Sequence, residues 1–143
     1  MREIKFRGKS TVPHEDMGWV YGSLVIGPVF NSIHFTTNKG PQSVLVDWRG
    51  IGQYTGLIDK NGVEIYEGDV VDFCYYKERL SGLVKYDEEC ALFAIWIPET
   101  SVSIPAFAGR ATQKVIGNIF DNPELKERFW GVWNRENNEK SNE

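Results

Sequence analysis

The residues able to do chemistry are few and far apart. His14-Glu15-Asp16 is the one place where a histidine lies beside carboxylates. Adjacent residues of an extended segment point to opposite faces, so a metal site would recruit His14 and Asp16 from one side and still need further ligands. A polar loop carries the same residues for solvation alone. Cys74 and Cys90 form no CxxC pair. As a nucleophile either would need His14 or His34 within hydrogen-bond reach, and strand parity places neither histidine there. Both cysteines lie in strand-like stretches, where a small buried thiol is common, and no disulfide framework is expected. Glu67 and Asp69 would share a face only in an extended segment, and the Gly68 between them predicts a bend. No catalytic, cofactor-binding or metal-binding constellation is expected.

Two motif-like stretches fail on inspection. Gly50-Ile51-Gly52-Gln53-Tyr54-Thr55-Gly56 has its third glycine one position late for a dinucleotide loop, and a β-hairpin follows instead of a helix whose N-terminus would hold a pyrophosphate. Asp59, Asn61 and Gly62 match part of a calcium loop, but the twelfth position is Val70 and the chelating glutamate is missing. Noncovalent recognition is better provided for. In residues 1–9, Lys5, Arg7 and Lys9 share one face of a half-buried strand while Ile4 and Phe6 share the other, a pattern that fits a phosphate-binding stripe or, more ordinarily, a charged edge strand protected from aggregation.

The elements that position these groups read as mostly β. A chain of 143 residues with 41% hydrophobic, 13% aromatic and 25% charged residues is globular, with an aromatic-rich β core. Strands are predicted over 19–26, with Trp19, Tyr21 and Ser23 on one face, then over 29–35 and 43–48, the last two joined by a turn-rich connection over 36–42. The arms 54–58 and 63–66 pair across a primed Asn61-Gly62 turn. Further strands cover 70–76, 82–87 and 91–97, the last apolar on both faces and so the most buried. This meander resembles a small SH3-like barrel. Residues 98–113 read as an exposed excursion with a short strand at 102–104, a place where a binding surface is often built or where a connecting loop is functionally silent. After a closing strand at 115–120, Asn122 as N-cap and Pro123 at the first helical position start a helix with an apolar stripe of Leu125, Phe129, Val132 and Trp133. The domain reading is an N-terminal β region over 1–52, a barrel-like region over 53–121, the helix over 122–133 and a disordered tail over 134–143, together one compact unit.

Several of these stretches resemble the YopX family of phage and prophage proteins. They are Arg2-Glu3-Ile4-Lys5-Phe6-Arg7-Gly8, Trp19-Val20-Tyr21-Gly22, Gln53-Tyr54-Thr55-Gly56-Leu57 with Asp59-Lys60-Asn61-Gly62, Ile65-Tyr66-Glu67-Gly68-Asp69, and Val115-Ile116-Gly117-Asn118-Ile119 before Asp121-Asn122-Pro123-Glu124-Leu125. The resemblance runs from Arg2 to about Leu125 and implies a phage or prophage gene and a mostly β protein, with no catalytic residue to carry over.

Three functions follow as expectations. The first is a non-enzymatic β interaction module for a protein partner, because aromatic strands and loops are present and a reactive constellation is not. The second is nucleic-acid binding through Lys5, Arg7 and Lys9 with nearby aromatics, against a net charge of −4 that is shared evenly by the two halves of the chain. The third, with least behind it, is an enzyme. The terminal helix crowds Phe129, Trp130 and Trp133, which predicts self-association through them as a symmetric dimer or small ring; the competing reading is a helix stripe that completes its own core. With no run near the roughly 20 apolar residues of a membrane helix and no cleavable leader after Met1, the expected location is the cytoplasm of the bacterial host.

Overall fold

The computed structural model describes residues 1–12, 18–98, 100 and 102–141, with side chains through 134. Among the described residues eleven strands precede one α-helix: β1 (Phe6–Lys9), β2 (Trp19–Ile26), β3 (Asn31–Thr37), β4 (Gly40–Val46), β5 (Gly52–Ile58), β6 (Glu64–Tyr66), β7 (Asp69–Tyr75), β8 (Glu78–Asp87), β9 (Leu92–Ile97), β10 (Val102–Pro105), β11 (Lys114–Asn118) and α1 (Pro123–Ser141). They form two antiparallel sheets, of order β4-β3-β2-β1-β5-β6 and β10-β9-β8-β7-β11. No pairing among the described residues closes the second sheet into a barrel. The chain divides into two compact units, Met1–Gly56 and Leu57–Glu143.

In the first unit β1 is an interior strand between β2 and β5, not the edge strand its charges suggest. Residues 36–42 are not a loose connection either, because β3 and β4 pair down to Thr37 opposite Gly40. Beyond β1, Ser10 bridges Val46, Thr11 N–H donates to Leu45 O at 3.1 Å and Asp47 N–H donates to Lys9 O at 2.9 Å. The sheet therefore curls until the end of β4 meets the end of β1. Register places Gly8, Ile33 and Val46 on the inner face, all buried. A Cβ on Gly8 would lie 2.8 Å from Val46 Cβ, so glycine is what lets the two strands approach. Arg7, Lys9, Trp19, Tyr21, Ser23, His34, Ser43 and Leu45 share the outer face.

The second unit is held at its start by Asp59. Gly62 N–H donates to Asp59 O and Asp59 N–H to Val63 O, closing the β5–β6 turn. Gly62 has φ +82°, but Asn61 is not in the left-handed region, so this is not the primed turn that Asn-Gly predicts. The reason is the Asp59 carboxylate, whose Oδ1 accepts from the N–H of Asn61 and Val63 and so fixes the turn from outside its two central residues. Its Oδ2 accepts from Val115 N–H at 2.9 Å, which ties the turn to β11.

The sheet of this unit carries apolar residues on both faces. Val71, Phe73, Val84, Ile95, Ile97 and Ile104 cluster on one, joined by Ile65 and Ala106. On the other, Val70 and Leu83 pack with Ile119 and Phe129 beneath α1. That helix decides which strand is deepest. It packs on β8 and β11 and, through Phe129, on Val70 of β7, whereas Leu92, Phe93 and Trp96 of β9 stay half-buried, so the expectation that 91–97 is the most buried strand is corrected in favour of β7. Within residues 98–113 the short strand expected at 102–104 is present as β10, followed by a 3-10 turn at Arg110–Thr112. Buried Gln113 donates to Ala106 O and Ala108 O, pinning the segment to the core.

Asn122 does stand at the N-cap, its carbonyl accepting from Lys126 N–H at 2.9 Å, but its side chain accepts from Asn118 N–H behind it and not from the first helical turn. The helix continues past Trp133 to Ser141, through a stretch that contains neither glycine nor proline to stop it.

Candidate binding surface

The strand period brings Lys5, Arg7 and Lys9 to one face, as expected, but each cation lies over an aromatic ring. Arg7 is only 6% exposed. Its guanidinium sits 4.4 Å from the centre of the Trp19 ring, with Lys9 Nζ at 5.5 Å from the same ring. Lys5 Nζ is 5.0 Å from the Tyr54 ring and 3.2 Å from Glu3 Oε1. The aliphatic and charged parts of these side chains therefore cover Trp19 and Tyr54, the usual geometry of a cation packed against a π face.

The helix aromatics are placed just as firmly. Phe129 is 0% exposed in the core with Val70, Leu83 and Ile119, so its ring is not at a surface where a partner would meet it. Trp133 packs edge-to-face on Phe120 with ring centres 5.5 Å apart, and Trp130 is half-buried under Lys126. Lys85 Nζ donates to the carbonyls of Val132 and Trp133, drawing α1 onto β8. Of the residues expected to form an interface, Phe129 is thus buried within the unit, while Trp130 and Trp133 pack on it and stay half-exposed.

The candidate reactive groups are engaged elsewhere. His34 Nε2 lies 3.0 Å from Ser32 Oγ and 3.3 Å from Ser43 Oγ. Cys74 is half-buried in β7, and Cys90 is exposed in the turn after β8 and not in a strand. The negative charge of Asp87 pushes the Cys90 thiol above its ordinary value, the opposite of activation. Asp69 Oδ2 accepts from Tyr66 N–H at 2.8 Å, and Gly68 has φ +93°, which makes Glu67-Gly68-Asp69 the bend its glycine predicts. His14, Glu15 and Asp16 lie outside the described residues, among which no three His, Cys, Asp or Glu side chains gather as a metal site. No helix among the described residues is long and apolar enough to cross a membrane.

What the sequence reading missed is one end of the first sheet. The last register pairs there are Ile26 with Asn31 and Asn31 with Val46, so residues 27–30 and 47–49 leave the sheet from the same end. Gly27 N–H donates to Phe30 O, and a Cβ on Gly27 would fall 2.6 Å from that oxygen, so the hairpin closes tightly and turns its apolar side chains outward. Ile26 is 76% exposed, Val29 77%, Phe30 65% and Trp48 66%. Val25 and Leu45, opposite Ser32 on either side, add apolar surface on the outer face. The strand predicted over 29–35 starts only at Asn31, so Val29 sits in the turn, past any strand that would cover it. Beside Trp48, Arg49 makes a two-pronged ion pair with Asp47, at 3.1 and 2.7 Å, and Arg49's hydrogen bond holds the Asp47 carboxyl below its ordinary value. The signal available in the sequence was an apolar pair placed directly after a Gly-Pro turn.

Fold and surface together define a mainly β, two-sheet protein with a terminal helix and one apolar end. The profile of the family described as YopX protein matches residues 5–127, and the chain belongs to that family. Among solved structures it is similar to protein EF1440 from Enterococcus faecalis, with 23% identity and a TM-score of 0.52 over 87% of this chain and 99% of that one. That likeness concerns the fold. A comparison with curated protein sequences gives no match.

Proposed function

We propose that the chain is a non-enzymatic accessory module of phage or prophage origin, working in the bacterial cytoplasm, that binds a protein partner through the end of its first sheet. The observation that carries this reading is the exposure of Ile26, Val29, Phe30 and Trp48 together, with the Asp47–Arg49 ion pair at the rim. Tryptophan and phenylalanine in an exposed apolar patch, with a charged pair at the rim, are the composition of interaction surfaces. Nucleic-acid binding has less support, because Arg7 is packed under Trp19 instead of being presented.

The test is retention of a host or phage protein by the immobilised chain, compared with a Phe30→Ser/Trp48→Ala variant of equal melting temperature. The expected result is loss of the retained protein in the variant. Equal retention, or oligonucleotide binding at low salt that Lys9→Glu abolishes, rejects the proposal.

A further inference from the structure

The sheet of the second unit carries opposite charge at its two ends. The β8–β9 turn brings Asp87, Glu88 and Glu89 to one. The other is the β7–β8 turn, where Lys77 lies at the tip and Arg79 stands opposite Cys74. A third cation joins them from a distant part of the chain. Thr112 Oγ1 accepts from Cys74 N–H at 2.9 Å, and a Cβ on Gly109 would fall 2.6 Å from Cys74 O, so the 3-10 turn that carries Arg110 is packed against the end of β7. From Thr100 to Phe120 the sequence holds Arg110 and Lys114 and no acid. Lys77, Arg79 and Arg110 are all exposed, and none of them makes an ion pair among the described residues. Glu78 is the one acid between Phe73 and Tyr86, and strand parity puts it on the opposite face from Arg79.

The tip between them is strained. Tyr76 and Lys77 occupy φ +49° and +67°, positions that Asn and Gly take at little cost in a two-residue hairpin turn. Here they carry instead an aromatic ring that is 84% exposed and a cation. Strain of this kind collects where a side chain is used. Tyr75, half-buried against the core cluster, meets the Tyr76 ring in a T-shaped pair with centres 4.5 Å apart, so the exposed ring is braced before any ligand arrives. A braced, solvent-facing ring with three unpaired cations beside it suits a ligand that has a flat π face and negative charge close to it. A nucleotide has both. In a duplex the base faces are buried against their neighbours, so only an unpaired base can stack on Tyr76. A bilayer is entered through apolar side chains, and this tip has only the half-buried Leu80. We propose that the β7–β8 tip is a site for single-stranded nucleic acid, in which a base stacks on Tyr76 and neighbouring phosphates lie on Lys77, Arg79 and Arg110. None of its residues belongs to the Lys5, Arg7 and Lys9 stripe. The proposal goes beyond the protein-binding reading of the first unit and does not depend on it.

The experiment is fluorescence anisotropy of the full chain with a labelled oligothymidylate of about ten nucleotides and with a duplex of the same length, over a salt series. Expected are tighter binding to the single strand and an affinity that falls as salt rises. Tyr76→Ala should weaken binding about tenfold or more, the share of one stacked base, and Tyr76→Phe, which keeps the ring, should restore most of it. Arg79→Gln/Arg110→Gln should weaken binding and flatten the slope of log affinity against log salt by about 1.4, as two lost phosphate contacts do. Circular dichroism should be unchanged throughout, because all three positions are exposed. Should one set of variants misfold, the other still decides. Absence of binding at low salt overturns the proposal, as do equal affinity for the duplex, an affinity that Tyr76→Ala leaves unchanged, and sedimentation with phosphatidylglycerol vesicles in place of oligonucleotide binding. Binding that Lys9→Glu abolishes and both sets of tip variants keep would overturn it together with the protein-binding reading. Any of the other failures leaves that reading as it was, since none of these variants alters the apolar end of the first sheet.

Discussion

The sheet of the second unit is covered twice, by the Val71 and Phe73 cluster on one face and by α1 on the other, whereas the first sheet curls over one inner face and leaves one end to solvent. The difference separates two uses of aromatic residues. Phe129 and Phe73 have neighbours on every side, so their size and shape are part of the fold. Phe30 and Trp48 lie beyond the last paired residues, and nothing in the unit needs them. An apolar residue that folding does not require is free to be chosen for what it touches outside the chain.

The comparison is broken most directly by truncating one residue of each kind. Phe129→Ala should cost about 4 kcal/mol, the transfer of a buried ring plus the cavity it leaves, while Phe30→Ala should stay within about 0.5 kcal/mol. Urea denaturation measures both, and similar losses would put Phe30 in a core after all. Next comes Asp59→Ala, which strands three N–H groups and should cost about 3 kcal/mol. Burial by itself would raise the Asp59 carboxyl, but the N–H groups of Val115, Val63 and Asn61 and the charge of Lys114 outweigh it and hold it below its ordinary value. Its folded value therefore lies below the unfolded value of about 4, so its contribution is complete above about pH 5 and is lost as pH falls through the folded value. The urea midpoints of the wild type and Asp59→Asn should converge below about pH 4; a constant gap would contradict the linkage.

Gly62→Val is smaller, about 2 kcal/mol, and purely conformational: nothing lies within 4 Å of a Cβ there, but φ is +82°. An unchanged melting temperature would contradict that turn. The smallest effect has the opposite sign. Tyr76 and Lys77 hold the β7–β8 turn at φ +49° and +67°, where most L-residues are strained, and Tyr76→Asn/Lys77→Gly should add about 1 kcal/mol. A loss of stability would mean that the exposed Tyr76 ring does structural work in the second unit.

Much of this fold was legible because it depends on local rules. The Asn122-Pro123 helix start, the Gly68 bend and the common face of Lys5, Arg7 and Lys9 follow from capping, positive φ and strand period. What could not be read depends on distant partners. Asn61 looked like a primed-turn residue until a carboxylate before the turn took over the hydrogen bonding. Residues 91–97 looked deepest because both faces are apolar, but only the strands beneath α1 are covered twice. The apolar surface at Phe30 and Trp48 was hidden for the same reason. A short apolar run next to a turn has the pattern of a strand, and only the register of β2, β3 and β4 places it beyond the sheet.

Asp59 also sets an order of events during folding. Its Oδ1 is satisfied by Asn61 and Val63 within the hairpin, contacts that form on the order of microseconds. Its Oδ2 takes the N–H of Val115, 56 residues away, and closing a loop of that length costs on the order of 3–4 kcal/mol of chain entropy. The hairpin is thus complete before β11 arrives and already holds an oxygen turned toward it. A chain that lost β11 would keep this turn, but a turn without Asp59 would leave β11 with an N–H and no acceptor.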